Sequence, residues 1–175
     1  MELKTLAGLF LIMGSIVLAS GGMAAAEPST MLIHLKTSLK RDDAQICVAY
    51  NAIWAALEDG LKVKVLVDAD AVNTYKIGLF GKDDIEGYKL PENMRQTLAL
   101  QFNVPLEKVP KVYGEYLKIL KQKGAEFYIN EEMLITAGIA REPGDLSRIS
   151  AKFFKPVTMP ELIQLRMNAE AYLVY

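Results

Sequence analysis

Short apolar runs alternate with amphipathic stretches along most of the chain. Met31 to Leu35 is an apolar run between polar Pro28–Thr30 and Lys36–Ser38, and predicts a buried strand. From Asp42 to Glu58 the pattern changes to helical period. Ile46, Ala49, Ile53 and Leu57 share one face, Asp42 or Asp43 can cap the start, and Gly60 stops the helix. Val63 to Val67, rich in β-branched residues, predicts a second strand closed by Asp68-Ala69-Asp70. Strand, helix, strand is a βαβ unit, which implies a right-handed crossover and a parallel sheet.

A further helical stretch is expected from Ala71 to Gly78 or Gly81, followed by a charged, glycine-bearing, aperiodic loop, Gly81 to Pro91, with the character of a mobile segment. Helices are predicted over 92–101 and 112–123, a third strand over 125–129, and a short helix over 131–137 opened by Asn130. Residues 146–154 read as loop with a short strand or turn. Thr158 and Pro160 open a helix running to Ala169, and Tyr172 to Tyr175 has the composition of a closing strand. The pattern describes a single α/β domain without internal repeats.

The first 26 residues do not fit that alternation. Lys4 precedes an uncharged, mostly apolar run from Leu6 to Leu18, and Ala24-Ala25-Ala26 supplies small residues before Glu27-Pro28. This is the layout of a secretory signal peptide, 1–26, leaving 27–175 as the mature domain in the periplasm or secreted. The apolar run is shorter than the roughly 20 residues a bilayer span needs, so membrane attachment is expected only through an uncleaved signal.

Composition excludes several classes of chemistry. The chain has 175 residues, and 20 Lys+Arg against 21 Asp+Glu give a net charge of −1, without the basic excess of a nucleic-acid binder. One cysteine excludes an internal disulfide, and one histidine excludes multi-histidine metal sites. Phosphate-cradling loops of the GxGxxG or GxxxxGK[ST] form are missing. No cofactor and no metal are expected.

Ligands of open parallel sheets sit beyond the carboxyl ends of the strands. That rule selects His34, Asp68, Asp70, Asn130 and Glu131 as the candidate ligand-binding rim. His34 is either an acid–base group facing the crevice or a packed ring bonded to backbone or to Asp68. Asp68 and Asp70 either bind a cation or amine, or cap the following helix. Glu131 and Glu132 suit the first turn of a helix without any further role. Cys47 shares a helical stripe with Tyr50, Asn51 and Trp54. It reads as a small packed hydrophobe, or as the reactive thiol if it is exposed. Phe153, Phe154, Tyr172 and Tyr175 fit either the core or a subunit seam.

The segments Val65–Gly78 (VLVDADAVNTYKIG), Leu117–Ile139 (LKILKQKGAEFYINEEMLITAGI) and Val157–Tyr175 (VTMPELIQLRMNAEAYLVY) together resemble the DsrE/DsrF-like family, which includes the Tus sulfur-relay subunits. The resemblance implies a three-layer α/β domain with a mostly parallel five-stranded sheet of flavodoxin-like type, and homo-oligomers, often trimers or hexamers. It also implies a persulfide-carrying cysteine just after a sheet strand. The matching position follows Phe127-Tyr128-Ile129 and holds Asn130. The expected function is therefore an exported, non-enzymatic binding or assembly protein, linked to sulfur metabolism by the resemblance, that takes a small ligand or protein partner at the rim. The alternatives are a sulfurtransferase or sulfur carrier using Cys47, and a hydrolase or metal enzyme built on His34 with Asp68 or Glu131.

Overall fold

The computed structural model describes residues 29–78 and 84–175. The signal segment 1–26 and the first part of the expected Gly81–Pro91 loop lie outside the described residues. Five strands, β1 (Thr30–Leu35), β2 (Lys62–Val67), β3 (Glu126–Asn130), β4 (Lys155–Val157) and β5 (Ala171–Val174), form one sheet in the order β4-β3-β2-β1-β5. Every pairing is parallel. This is a three-layer α/β fold with a five-stranded sheet, flavodoxin-like in general architecture. Its strand order differs from the 2-1-3-4-5 of flavodoxin itself. The direction of winding reverses between β1 and β5.

Six helices, α1 (Asp43–Glu58), α2 (Asp84–Gly87), α3 (Glu92–Gln101), α4 (Tyr113–Gln122), α5 (Glu131–Thr136) and α6 (Met159–Met167), connect the strands. From β1 to β4 the chain steps one way across the sheet, so right-handed crossovers put α1, α4 and α5 on one face. The return from β4 to β5 puts α6 on the other. The cores follow this division. Ile33, Leu35, Val65, Val67, Phe127 and Ile129 point into a large core with α1 and α4, while Leu32, Leu66 and Val157 form a small one with Leu162 and Leu165 of α6. No residue of α6 is buried. The α6 layer is thin.

Local signals explain the element boundaries. Asp42 accepts a bond from the Gln45 backbone N–H at the start of α1, and Gly60, at φ +78°, takes the left-handed conformation that ends it. Thr158 and Glu161 form a reciprocal capping box at α6, with proline in the first turn.

Three expectations need correction. The helix expected from Ala71 is a 3-10 segment, Ala69–Tyr75, after which Lys76 pairs in an antiparallel bridge with Ile149. A backbone bond from Ile77 N–H to Arg148 O takes the chain out of helical register there. The Gly81–Pro91 loop contains α2 and an antiparallel bridge from Lys89 to Val112. The fourth strand is Lys155–Val157, beyond the 146–154 segment. Pro156 is tolerated there because β4 is an edge strand. Among the described residues no helix is long and apolar enough to cross a membrane.

Candidate functional site

Strand parity brings the rim together. His34 alternates with Leu32 on the α6 face of β1, and Asp68 and Asn130 follow on the same face at the ends of β2 and β3. His34 is 7% exposed. Its Nε2 lies 3.1 Å from Asp68 Oδ2 and its Nδ1 lies 2.8 Å from the Tyr172 hydroxyl. The tautomer that satisfies both partners carries its proton on Nε2, donating to the carboxylate, while Nδ1 accepts from Tyr172. The Arg166 guanidinium stands 3.4 Å above the Tyr172 ring, a cation–π contact that ties α6 to β5.

Asn130, 1% exposed, is the centre of the network's other arm. Its Nδ2 donates to Asp68 Oδ1 at 2.8 Å, and its Oδ1 accepts from the Glu132 and Met133 backbone N–H groups at 3.0 and 3.3 Å. One amide thus fixes the Asp68 carboxylate and caps α5. Asp68 also accepts from the Ala69 backbone N–H. Ala69 itself sits at φ +48°, a left-handed conformation that costs a non-glycine residue about 1 kcal/mol.

The sequence-predicted residues therefore divide. His34, Asp68 and Asn130 are joined in one chain of hydrogen bonds. Asp70 belongs to a separate cluster, accepting from Ser38 Oγ at 2.5 Å and Asn73 Nδ2 at 3.1 Å. The Asp68 side chain makes no cap to the 3-10 segment; His34 and Asn130 from the neighbouring strands take its oxygens, beside the adjacent Ala69 N–H. Glu131 and Glu132 lie in the first turn of α5, where the helix dipole favours acids. Ser38, at the end of the His34–Ser38 stretch that the same rule marks as rim, completes the Asp70 cluster; Tyr172 and Arg166 complete the His34 network and were not legible as site residues, because only the β1–β5 register sets Tyr172 beside Leu32 and within reach of His34.

Cys47 is far from this network. It is buried in α1, 2% exposed. Desolvation raises the thiol above its usual pKa. The neighbouring Tyr113 hydroxyl pulls it back, and Asp43 adds to the rise. Tyr50 and Trp54 of the same stripe are buried with it, and Asn51 accepts from Tyr116.

Chemically, the rim network is closed upon itself. Both imidazole nitrogens are engaged, so a general acid or base would have to release Tyr172 or Asp68 first. The β1–β5 reversal, where a ligand crevice would form, is filled by a continued ladder: Tyr175 N–H donates to His34 O, and Lys36 N–H donates to Tyr175 O. None of five well-defined cavities among the described residues is lined by His34, Asp68 or Asn130. Among the described residues no group of three or more His, Cys, Asp or Glu side chains is placed to hold a metal ion.

The network has a pH signature. The hydrogen bond from His34, opposed in part by burial and reinforced by Ala69 and Asn130, lowers the Asp68 carboxyl from 3.8 to about 2. A depressed carboxylate stabilises the fold above its unfolded pKa, and that contribution disappears as pH falls through the folded value. Asp68 keeps 18% of its side-chain surface, so the contribution is about 1–2 kcal/mol after screening. We expect it to be lost between about pH 4 and pH 2. Urea unfolding of wild type and Asp68→Asn across that range checks this: their stability difference should shrink toward low pH, and a constant difference contradicts the assignment.

Comparison with protein-family models and with curated proteins finds no match.

Proposed function

We propose that the chain is an exported, non-enzymatic binding or assembly domain of DsrE/DsrF-like type that associates with a second copy of itself through β5 and α6. The observation that carries the assembly reading is a sheet edge that no described residue covers. One edge strand, β4, is three residues long and blunted by Lys155 and Pro156. The other, β5 (Ala-Tyr-Leu-Val), has neither charge nor proline, and Leu173 and Val174 are 38% and 49% exposed. Natural edge strands of this kind are normally covered.

The neighbouring helix supports the same partner. Met159 and Ile163, 40% and 51% exposed, lie at i and i+4 of the flank whose i+7 position is Arg166. Arg166 rests on Tyr172 of β5, so this apolar flank faces the β5 side of the molecule. Two copies related by a two-fold axis would join their β5 strands antiparallel into a ten-stranded sheet and bring the two α6 flanks together. Such an isologous contact is self-complementary.

The DsrE/DsrF-like part of the reading is supported by the five-stranded parallel sheet with its lone return helix, and by the resemblance of the three segments. The non-enzymatic part is supported by the mutual saturation of the rim side chains. Export rests on the Leu6–Leu18 segment.

Light scattering on the chain 27–175 tests the assembly. A dimer is expected at about 100 μM, with Leu173→Asp and Ile163→Asp each shifting it to monomer, because a buried unpaired carboxylate at the seam costs several kcal/mol. A monomeric wild type, or variants that leave the mass unchanged, would overturn the reading.

A further inference from the structure

Cysteine and methionine are the side chains whose sulfur a peroxide oxidises, and exposure decides which react first. Among the described residues the methionines are Met31, Met94, Met133, Met159 and Met167. They fall into two settings. Met31, Met94 and Met133 are half-buried against the large core, and Met94 Sδ also accepts from Asn51 Nδ2 at 3.6 Å. Met159 and Met167 are exposed, Met167 at 73%, and both belong to α6. Cys47, the single cysteine of the chain, is buried.

The two exposed methionines are the first and last residues of α6. With Ile163 between them they stand at i, i+4 and i+8, so the three form one row along the helix. Leu162 and Leu165 pack down on the sheet and leave this row on the flank beside Arg166. It is the apolar flank that the dimer reading places at the seam. Flexible thioethers suit such a contact, because methionine adapts its shape to the facing surface. They also expose it to chemistry. A sulfoxide puts a polar S–O group where an apolar sulfur stood, and burying a polar group without a partner opposes association.

We propose that Met159 and Met167 are oxidation sites through which a hydroperoxide separates the two copies. The proposal rests on the β5–α6 seam. Reaction takes place on the dissociated copy, where the row is open to solvent. The thioether sulfur attacks one oxygen of hydrogen peroxide. An S–O bond forms as the O–O bond breaks, and the proton on the transferred oxygen passes to the departing hydroxide, which leaves as water. Sulfur loses two electrons and the peroxide gains them. The sulfoxide then holds that copy out of the dimer, and the buried thiol of Cys47 does not compete for the oxidant.

Light scattering, peptide mass mapping and far-UV circular dichroism on the chain 27–175, before and after hydrogen peroxide, test the sites. The untreated chain should be dimeric. The treated chain should carry oxygen on Met159 and Met167 ahead of Met31, Met94 and Met133. Its dimer Kd should rise at least about tenfold, with the circular dichroism unchanged. The double variant Met159→Leu, Met167→Leu keeps the row apolar and helical. It should dimerise like the wild type and stay dimeric after the same treatment. A monomer before treatment overturns the seam reading and this proposal with it. A dimer that persists with both sulfurs oxidised overturns this proposal alone and leaves the seam standing. So does oxidation that starts at the half-buried methionines, a loss of helical signal on treatment, or dissociation of the leucine variant by peroxide.

Discussion

Replacing Asn130 with alanine is expected to destabilise the fold by about 2–4 kcal/mol, a loss of roughly 10 °C in Tm for a domain of this size. The figure follows from what the amide does. Removing the cap of α5 costs about 1 kcal/mol. Removing the Nδ2 donor deprives the Asp68 carboxylate of a charge-assisted hydrogen bond, for about another 1.5–3 kcal/mol, with Asn130 buried and water unable to substitute freely. Asn130→Asp separates the two roles. It keeps an oxygen to cap α5 but faces Asp68 with a second carboxylate where the amide donated at 2.8 Å. The new carboxyl would have a raised folded pKa, so the stability of this variant should rise as pH falls from 7 toward 4, opposite to the Asp68 contribution of the wild type. Urea unfolding at pH 7 and pH 5 reads both. A loss below 1 kcal/mol in the alanine variant would mean that the network is not structural. Asn130 would then be a side chain held ready for something else.

The same residue shows what sequence can and cannot deliver. That Asn130 caps the helix after β3 was legible, because a cap is a contact between neighbours in the chain. So were Asp42, Gly60 and the Thr158–Pro160 start of α6. The parallel βαβ unit was legible from the change of period between residues 31 and 67. What was not legible depends on register between distant strands. His34 meets Tyr172 because β5 returns beside β1, and Asp68 abandons its local cap because His34 and Asn130 reach it from either side. The strand order, and with it the thin α6 layer, depends on the last crossover and leaves no local mark. Nor does the cavity beside Ser150, which three separated segments build. Phe153 and Phe154, open between core and seam in the sequence, pack with Phe127 in the large core.

The thiol of Cys47 is expected to be silent toward Ellman's reagent in the folded protein, reacting at least about 10³-fold more slowly than in denaturing urea. Access is the first cause. With the side chain 2% exposed among Tyr50, Trp54 and Tyr113, reaction requires α1 to open, and an opening free energy of only about 4 kcal/mol already slows it about a thousandfold. Ionisation is the second. Desolvation raises the thiol pKa against the weaker pull of Tyr113, so at pH 7.5 the thiolate is a smaller fraction than in a free cysteine. The position on α1 adds to this: Cys47 lies in the second turn, beyond the free N–H groups of the helix start. A sulfur carrier needs the opposite on every count, an exposed sulfur held as thiolate where a partner's sulfur can reach it. The assay therefore discriminates between functions. Slow native labelling, accelerated by urea, leaves the binding and assembly reading in place. Labelling within seconds in native buffer would show that the helix opens readily, and would transfer the weight of the argument to the carrier reading, with Cys47→Ser as the variant in which sulfur loading must then disappear.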